Sequence, residues 1–158
     1  MSRRTDVFDA RAFTIEFDRI SNTLTSSCYL SKISDPTVPS ANSEVSALWD
    51  TGATHSCISV ITAQRLGLEP VGTISAMGAH GNRQVNTYLV NLWLPNQVCI
   101  EGLFVVEAIL DTFNCLIGMD IINLGDFAIS NQEQKTVFTF RMPSLQRFDF
   151  VREAQTEQ

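Results

Sequence analysis

Phe13-Thr14-Ile15-Glu16-Phe17 alternates apolar and polar side chains, the period of a half-buried strand. Ser21-Asn22 reads as a turn, and Thr23 to Ile33, rich in Thr, Ser and β-branched residues, returns as a second strand. Residues 34–43 carry two prolines, three serines, an Asp and an Asn, and read as a loop. Val45 to Trp49 is a short strand running into Asp50-Thr51-Gly52. The period then changes. Ser59 suits a helix cap, Val60 to Leu66 fits a short helix, and Gly67 stands where a C-terminal stop belongs. Val71 to Met77 and Arg83 to Leu94 flank Gly78-Ala79-His80-Gly81-Asn82, which makes a hairpin with a glycine-bearing tip. Val98 to Ile109 is a further strand, bent near Gly102. Met119 to Leu124 suits one or two helical turns. Phe127 to Ser130 and Thr136 to Arg141 form a last hairpin, which Pro143 ends, and beyond Phe150 the chain is polar and expected to fray. The sum is about eight short strands and two short helices, a mostly-β fold of the small barrel or sandwich kind. Phe138, Phe140, Phe148 and Phe150 alternate and read as core or interface.

Composition narrows the function. The 158 residues are 44% hydrophobic, enough for one packed domain. The net charge is −6 and Lys and Arg are scattered, which argues against a nucleic-acid backbone binder. The longest apolar runs, Leu103 to Leu110 and Cys115 to Leu124, are broken by Glu107, Gly118 and Asp120, so neither spans a bilayer. The first residues hold no apolar stretch of the secretory kind. Cys28, Cys57, Cys99 and Cys115 have wide, irregular spacing without a CxxC pair, and read as small hydrophobes in a reducing, cytoplasmic setting.

The chemistry concentrates in Ala47-Leu48-Trp49-Asp50-Thr51-Gly52-Ala53-Thr54-His55-Ser56, where an acidic residue ends an apolar strand. The glycine lets the backbone turn tightly, so that neighbouring N–H groups can face the carboxylate. Far downstream, Leu116-Ile117-Gly118-Met119-Asp120 leads two apolar residues and a glycine into the short helix. Taken alone, Asp50-Thr51-Gly52 also suits an ordinary turn. His55 and His80 lack a third residue at metal-ligand spacing, and no metal or other cofactor is expected. Cys57 near His55 raises a thiol nucleophile, but no triad or oxyanion-hole signal accompanies it.

Asp50-Thr51-Gly52-Ala53, the segment Thr54 to Ser59 and Leu116-Ile117-Gly118-Met119-Asp120 together resemble the retropepsin-type aspartic proteases, in the form found in gypsy-type retrotransposons and related bacterial proteins. The resemblance covers roughly residues 45–130 and places Gly78 to Asn82 at the family's flap. Retroviral members carry acidic residues where Thr54 and His55 stand and an Arg where Met119 stands. In those members the two can pair as ions beside the site; here both partners are absent together, so no orphan charge remains. The resemblance implies Asp50, Thr51 and Gly52 as catalytic residues. It implies Ala53, Thr54, Met77, Gly78, Ala79, His80, Gly81 and Ile117 as substrate-binding residues.

Asp50 is the only one of the nine aspartates followed by Thr or Ser and then Gly; Asp111-Thr112 runs into Phe113. Aspartic proteolysis uses two carboxylates about 3 Å apart that share one proton, one acting as base and one as acid. One motif per chain therefore requires a symmetric homodimer with both Asp50 side chains on its two-fold axis. The expected function is a homodimeric endopeptidase acting on polypeptides. The alternative is an inactive dimer of the same kind that binds peptides or holds complexes together. Residues 41–143 are expected to form the protease domain, 1–40 strands and a loop that belong or append to it, and 144–158 a partly disordered tail.

Overall fold

The computed structural model describes residues 4–35, 40–78 and 81–156. Its strands are β1 (Arg4–Phe8), β2 (Ala12–Phe17), β3 (Thr25–Lys32), β4 (Glu44–Trp49), β5 (Cys57–Ser59), β6 (Gly72–Gly78), β7 (Gly81–Trp93), β8 (Cys99–Ala108), β9 (Cys115–Ile117), β10 (Asp126–Ser130) and β11 (Val137–Arg141). Three short helices accompany them, α1 (Val60–Arg65), α2 (Met119–Ile122) and α3 (Phe150–Thr156). The mostly-β reading therefore holds.

The strands form two sheets. One has the order β3-β4-β9-β5-β8-β7-β6, and a further β3–β7 pairing joins the first strand to the sixth, so the sheet closes on itself. The other has the order β1-β2-β11-β10. The predicted hairpins appear as β6–β7, in register from Gly72↔Thr87 to Gly78↔Gly81, and β10–β11, from Asp126↔Arg141 to Ser130↔Val137. Gly102 has φ +64°, the left-handed backbone that suits the bend expected in β8. Ser59 caps α1, its hydroxyl accepting from Thr62 N at 3.1 Å, and Gly67 follows the helix at φ +60°.

Several expectations change. β5 and β9 have three residues each, too few for alternation to show in sequence; they are strands because neighbours pair with them on both sides. β1 also escapes the alternation reading and pairs with β2 from Arg4↔Phe17 to Phe8↔Phe13. Beyond Phe150, where the chain is expected to fray, residues 151–156 belong to α3, which buries nothing; 157–158 lie outside the described residues. The loop expected at 34–43 is described only at its ends, where Ala41–Ser43 makes a 3-10 turn; 36–39 lie outside the described residues.

The core lies between the sheets. Trp49, the last residue of β4, packs among four phenylalanines of the second sheet: Phe13 at 5.6 Å between ring centroids, Phe127 at 5.7 Å, Phe138 at 5.9 Å and Phe140 at 5.3 Å. Its indole N–H is satisfied at 2.9 Å by the buried Ser26 hydroxyl. Phe138 and Phe140 thus belong to the core, whereas Phe148 and Phe150 are exposed.

Asp126 ties the end of the second sheet to the segment that follows it. Its carboxylate accepts from the backbone N–H groups of Leu145 (2.9 Å) and Gln146 (3.2 Å), from the Ser144 hydroxyl and from the Arg141 guanidinium. These donors, the Leu145 N–H foremost, hold the carboxyl well below the usual carboxylate range. A carboxylate whose pKa is lowered in the folded chain adds stability above its unfolded value, and that contribution disappears as the pH falls through the folded value. Asp126→Asn should therefore lower the melting temperature at pH 7, and the gap from the parent protein should close below about pH 4. Thermal melts across that range measure it; a gap that persists unchanged at the acid end would show that the charge is not what holds the turn.

Candidate active site

Topology builds the site. β4 and β5 are consecutive strands, but β9 lies between them, parallel to β4 (Trp49↔Ile117) and antiparallel to β5 (Cys57↔Leu116). The connection 50–56 must therefore cross the C-terminal end of β9, where Gly118 stands. A Cβ built on Gly118 would lie 2.7 Å from the His55 carbonyl carbon, 2.8 Å from its oxygen and 2.9 Å from the Ala53 oxygen. Only a residue without a side chain fits beneath the loop.

Backbone hydrogen bonds close the crossing. Asp50 N donates to Ile117 O at 2.9 Å, and Met119 N donates to Ala53 O at 2.8 Å. Ser56, fully buried, works from the far end of the loop. Its N–H and hydroxyl donate to the two carboxylate oxygens of Asp120 at 2.8 and 2.7 Å, while the same hydroxyl accepts from Gly118 N at 3.0 Å. Loop, strand end and α2 are thus joined by one polar network with each named group satisfied, which is what makes such a network rigid. The resemblance assigned no role to Ser56 or Asp120. The signal available in sequence was a Ser and an Asp at the two motif ends, and only the crossing shows that they meet.

Within this frame Asp50 is half-buried, and its Oδ1 accepts from Gly52 N at 2.8 Å. This is the tight turn expected of the glycine, which brings an N–H to the carboxylate. Thr51, Gly52 and Thr54 are exposed, Ala53 is half-buried, and the loop presents them away from the core. Met77 and Gly78 end β6 and Gly81 begins β7, with Gly78 opposite Gly81 in register. Ala79 and His80, expected at the tip, lie outside the described residues. Ile117 departs from expectation. Its side chain is 0% exposed in the core, so it meets the site through its carbonyl alone. Strand pleating puts Leu116 on the other face, half-buried, and within this element Leu116 is the side chain with surface to offer.

Burial, and after it the charges of Asp120 and Asp50, push the Cys57 thiol up to about 11, which disfavours the reactive thiolate at neutral pH. All four cysteines are free, and burial also raises Cys115. No described helix is long and apolar enough to cross a membrane.

The family model described as "Aspartyl protease" matches residues 37–121, more than half of the chain. No curated protein matches the sequence. Among solved structures, a retropepsin-like aspartic protease from Rickettsia conorii superposes with a TM-score of 0.51 at 13% identity, over 90% of this chain and 98% of that one. The retroviral protease-like domain of Ddi1 from Leishmania major superposes with a TM-score of 0.50 at 20% identity, over 82% of this chain and 99% of that one. At such identities the likeness is one of fold.

The crossing makes a strict demand at Gly118. Gly118→Ala should destabilise the chain, because the added methyl meets backbone atoms that cannot rotate away; overpacking of this kind costs about 1–3 kcal/mol or more. Urea denaturation checks this, and an unchanged midpoint would mean that the loop does not lie on β9 as described.

Proposed function

Because the chain belongs to the aspartyl protease family, we propose that it is an endopeptidase that hydrolyses peptide bonds in polypeptides as a symmetric homodimer. The observation that carries this reading is the placement of Asp50. One half-buried carboxylate follows β4 directly, on a loop held by the Gly118 crossing and the Ser56–Asp120 network, next to the exposed Thr51 and Gly52.

The chemistry follows from two such carboxylates facing across the two-fold axis. They share one proton, since like charges about 3 Å apart do not both ionise. A water lies between them. The ionised Asp50 takes a proton from the water as its oxygen attacks the scissile carbonyl, and the protonated Asp50 of the other subunit donates to the carbonyl oxygen. The tetrahedral intermediate then collapses with protonation of the leaving amine, and the dyad returns to its starting state with one shared proton.

Thr51, exposed in the single chain, hydrogen-bonds across the axis to the opposite loop. Gly52, Ala53 and Thr54 line the cleft floor, with Leu116 beside them in the place first expected for Ile117. The β6–β7 hairpin is the flap; it closes over an extended peptide and excludes water. Apolar side chains on both sides of the scissile bond suit such a cleft.

Asp50→Asn should abolish cleavage of a peptide library between about pH 4 and 6, the window of a dyad with split pKa values, while the dimer stays folded. Cleavage by the purified variant would remove Asp50 from the mechanism. A parent dimer that binds library peptides and cuts none would replace the hydrolase with the peptide-binding alternative. Thr51→Ala should weaken dimerisation rather than monomer folding, by about 0.5–1.5 kcal/mol for each of two symmetry-related hydrogen bonds. Sedimentation equilibrium reads that change directly.

A further inference from the structure

We infer that Glu107 is a positioning residue for the β6–β7 hairpin: through hydrogen bonds from Asn86 and Tyr88 its carboxylate clamps the root of the hairpin and sets the angle at which it leaves the sheet. The inference rests on the flap reading proposed above and adds the group that aims the flap.

Strand pairing marks the point of departure. The β7–β8 ladder runs to Thr87↔Val106, so the part of β7 before Thr87 pairs with β6 alone. β6 stands at the end of the strand order, with β7 as its one neighbour. Residues 73–86 therefore form a two-stranded ribbon that projects beyond the sheet. Such a ribbon is marginal by itself, and its direction is decided by whatever holds its root.

The two faces of the root are held differently. Val85 is buried on one of them. Asn86 and Tyr88 share the other, since alternate residues of a strand point the same way. There Glu107 of β8 meets both: its Oε2 accepts from Tyr88 Oη at 2.7 Å and from Asn86 Nδ2 at 3.1 Å. Tyr88 lies within the β7–β8 ladder, opposite Val105, and is buried. Asn86 stands one residue past the end of that ladder, opposite Thr73 of β6. One oxygen thus bridges the fixed part of β7 and the part that projects. Among the described residues it accepts the one side-chain hydrogen bond that ties 73–86 to the rest of the chain.

The clamp has a firm base. Glu107 pairs with the fully buried Ile58 of β5, the strand into which the active-site loop 50–56 runs. A carboxylate acceptor also makes a stronger hydrogen bond than a neutral one. Burial, and after it the hydrogen bond and charge of Glu107, raise the Tyr88 phenol, so Tyr88 remains the donor. A flap held at one angle has less freedom to lose when a peptide binds, and that difference is felt in KM rather than in the chemical step.

Asn86→Ala and Glu107→Ala test the clamp, the first leaving the Tyr88–Glu107 hydrogen bond in place and so sparing the fold. In hydrogen exchange of the free protein, the amides of 82–86 should exchange about tenfold or more faster in both variants, while those of β2 and β11 keep the parent rates. With a library peptide that the parent cleaves at about pH 6, both variants should raise KM about tenfold and leave kcat within about twofold. Glu107→Gln, which keeps an acceptor oxygen at the same place, should stay near the parent in both measurements. Parent-like exchange at 82–86 in Asn86→Ala, a loss confined to kcat, or a Glu107→Gln variant as loose as Glu107→Ala would each overturn the proposal. A parent protein that cuts no peptide would overturn the proteolytic reading instead, and exchange at 82–86 would still decide the clamp.

Discussion

The site depends on one steric constraint, the passage of loop 50–56 across the C-terminal end of β9. The contact is backbone against backbone, with the His55 carbonyl and the Ala53 oxygen closer to Gly118 than a side chain would allow. That closeness permits the Asp50–Ile117 and Ala53–Met119 hydrogen bonds, which hold both ends of the Asp-Thr-Gly turn against the sheet. Ser56 and Asp120 then lock the rest of the loop to α2. A carboxylate on an ordinary surface turn would sample many orientations. Here the backbone on both sides of Asp50 is fixed by groups that lie in the core.

A second layer of support comes from the chain ends. Residues 4–17 and 126–141 lie outside most of the motif, yet they form the sheet whose Phe13, Phe127, Phe138 and Phe140 surround Trp49. Offset and edge-on aromatic contacts of this kind add to plain burial and resist sliding, because each ring has few ways to pack. Trp49 is followed directly by Asp50, so the position of the catalytic candidate is transmitted from a core to which both termini contribute. Asp126 extends that arrangement by fastening the turn at 144–146, after which none of the described residues is buried.

Local pattern exposed those parts of the fold that local physics decides. The β6–β7 and β10–β11 hairpins, β2, β4, the capped α1 with Gly67 behind it and the bend at Gly102 all carry their cause within a few residues. β5 and β9 do not. Three residues cannot display a period, and both exist only because other strands flank them. The Ile117 assignment failed for a related reason. Motif alignment identifies the element, but the pleat decides which of two adjacent apolar side chains faces the core, and it buried Ile117 and left Leu116 half-open.

By itself the sequence determined which residues are candidates for chemistry. One Asp-Thr-Gly at the end of an apolar strand, one Leu-Ile-Gly element downstream and a hairpin between them single out the candidate carboxylate and its glycines, and the single copy of the motif sets how many chains a proton-sharing dyad would need. These are questions of residue type and count, which no fold can alter. Tertiary structure decided what depends on elements distant in sequence. It inserted β9 between β4 and β5, which turned Gly118 from a permissive residue into an obligatory one. It also brought Asp120 onto Ser56 across 64 positions, gathered four phenylalanines around Trp49, and left β10 rather than β2 or β11 at an open edge. Each of these is a contact between segments that share no local pattern, and such contacts acquire meaning only when the chain has closed upon itself.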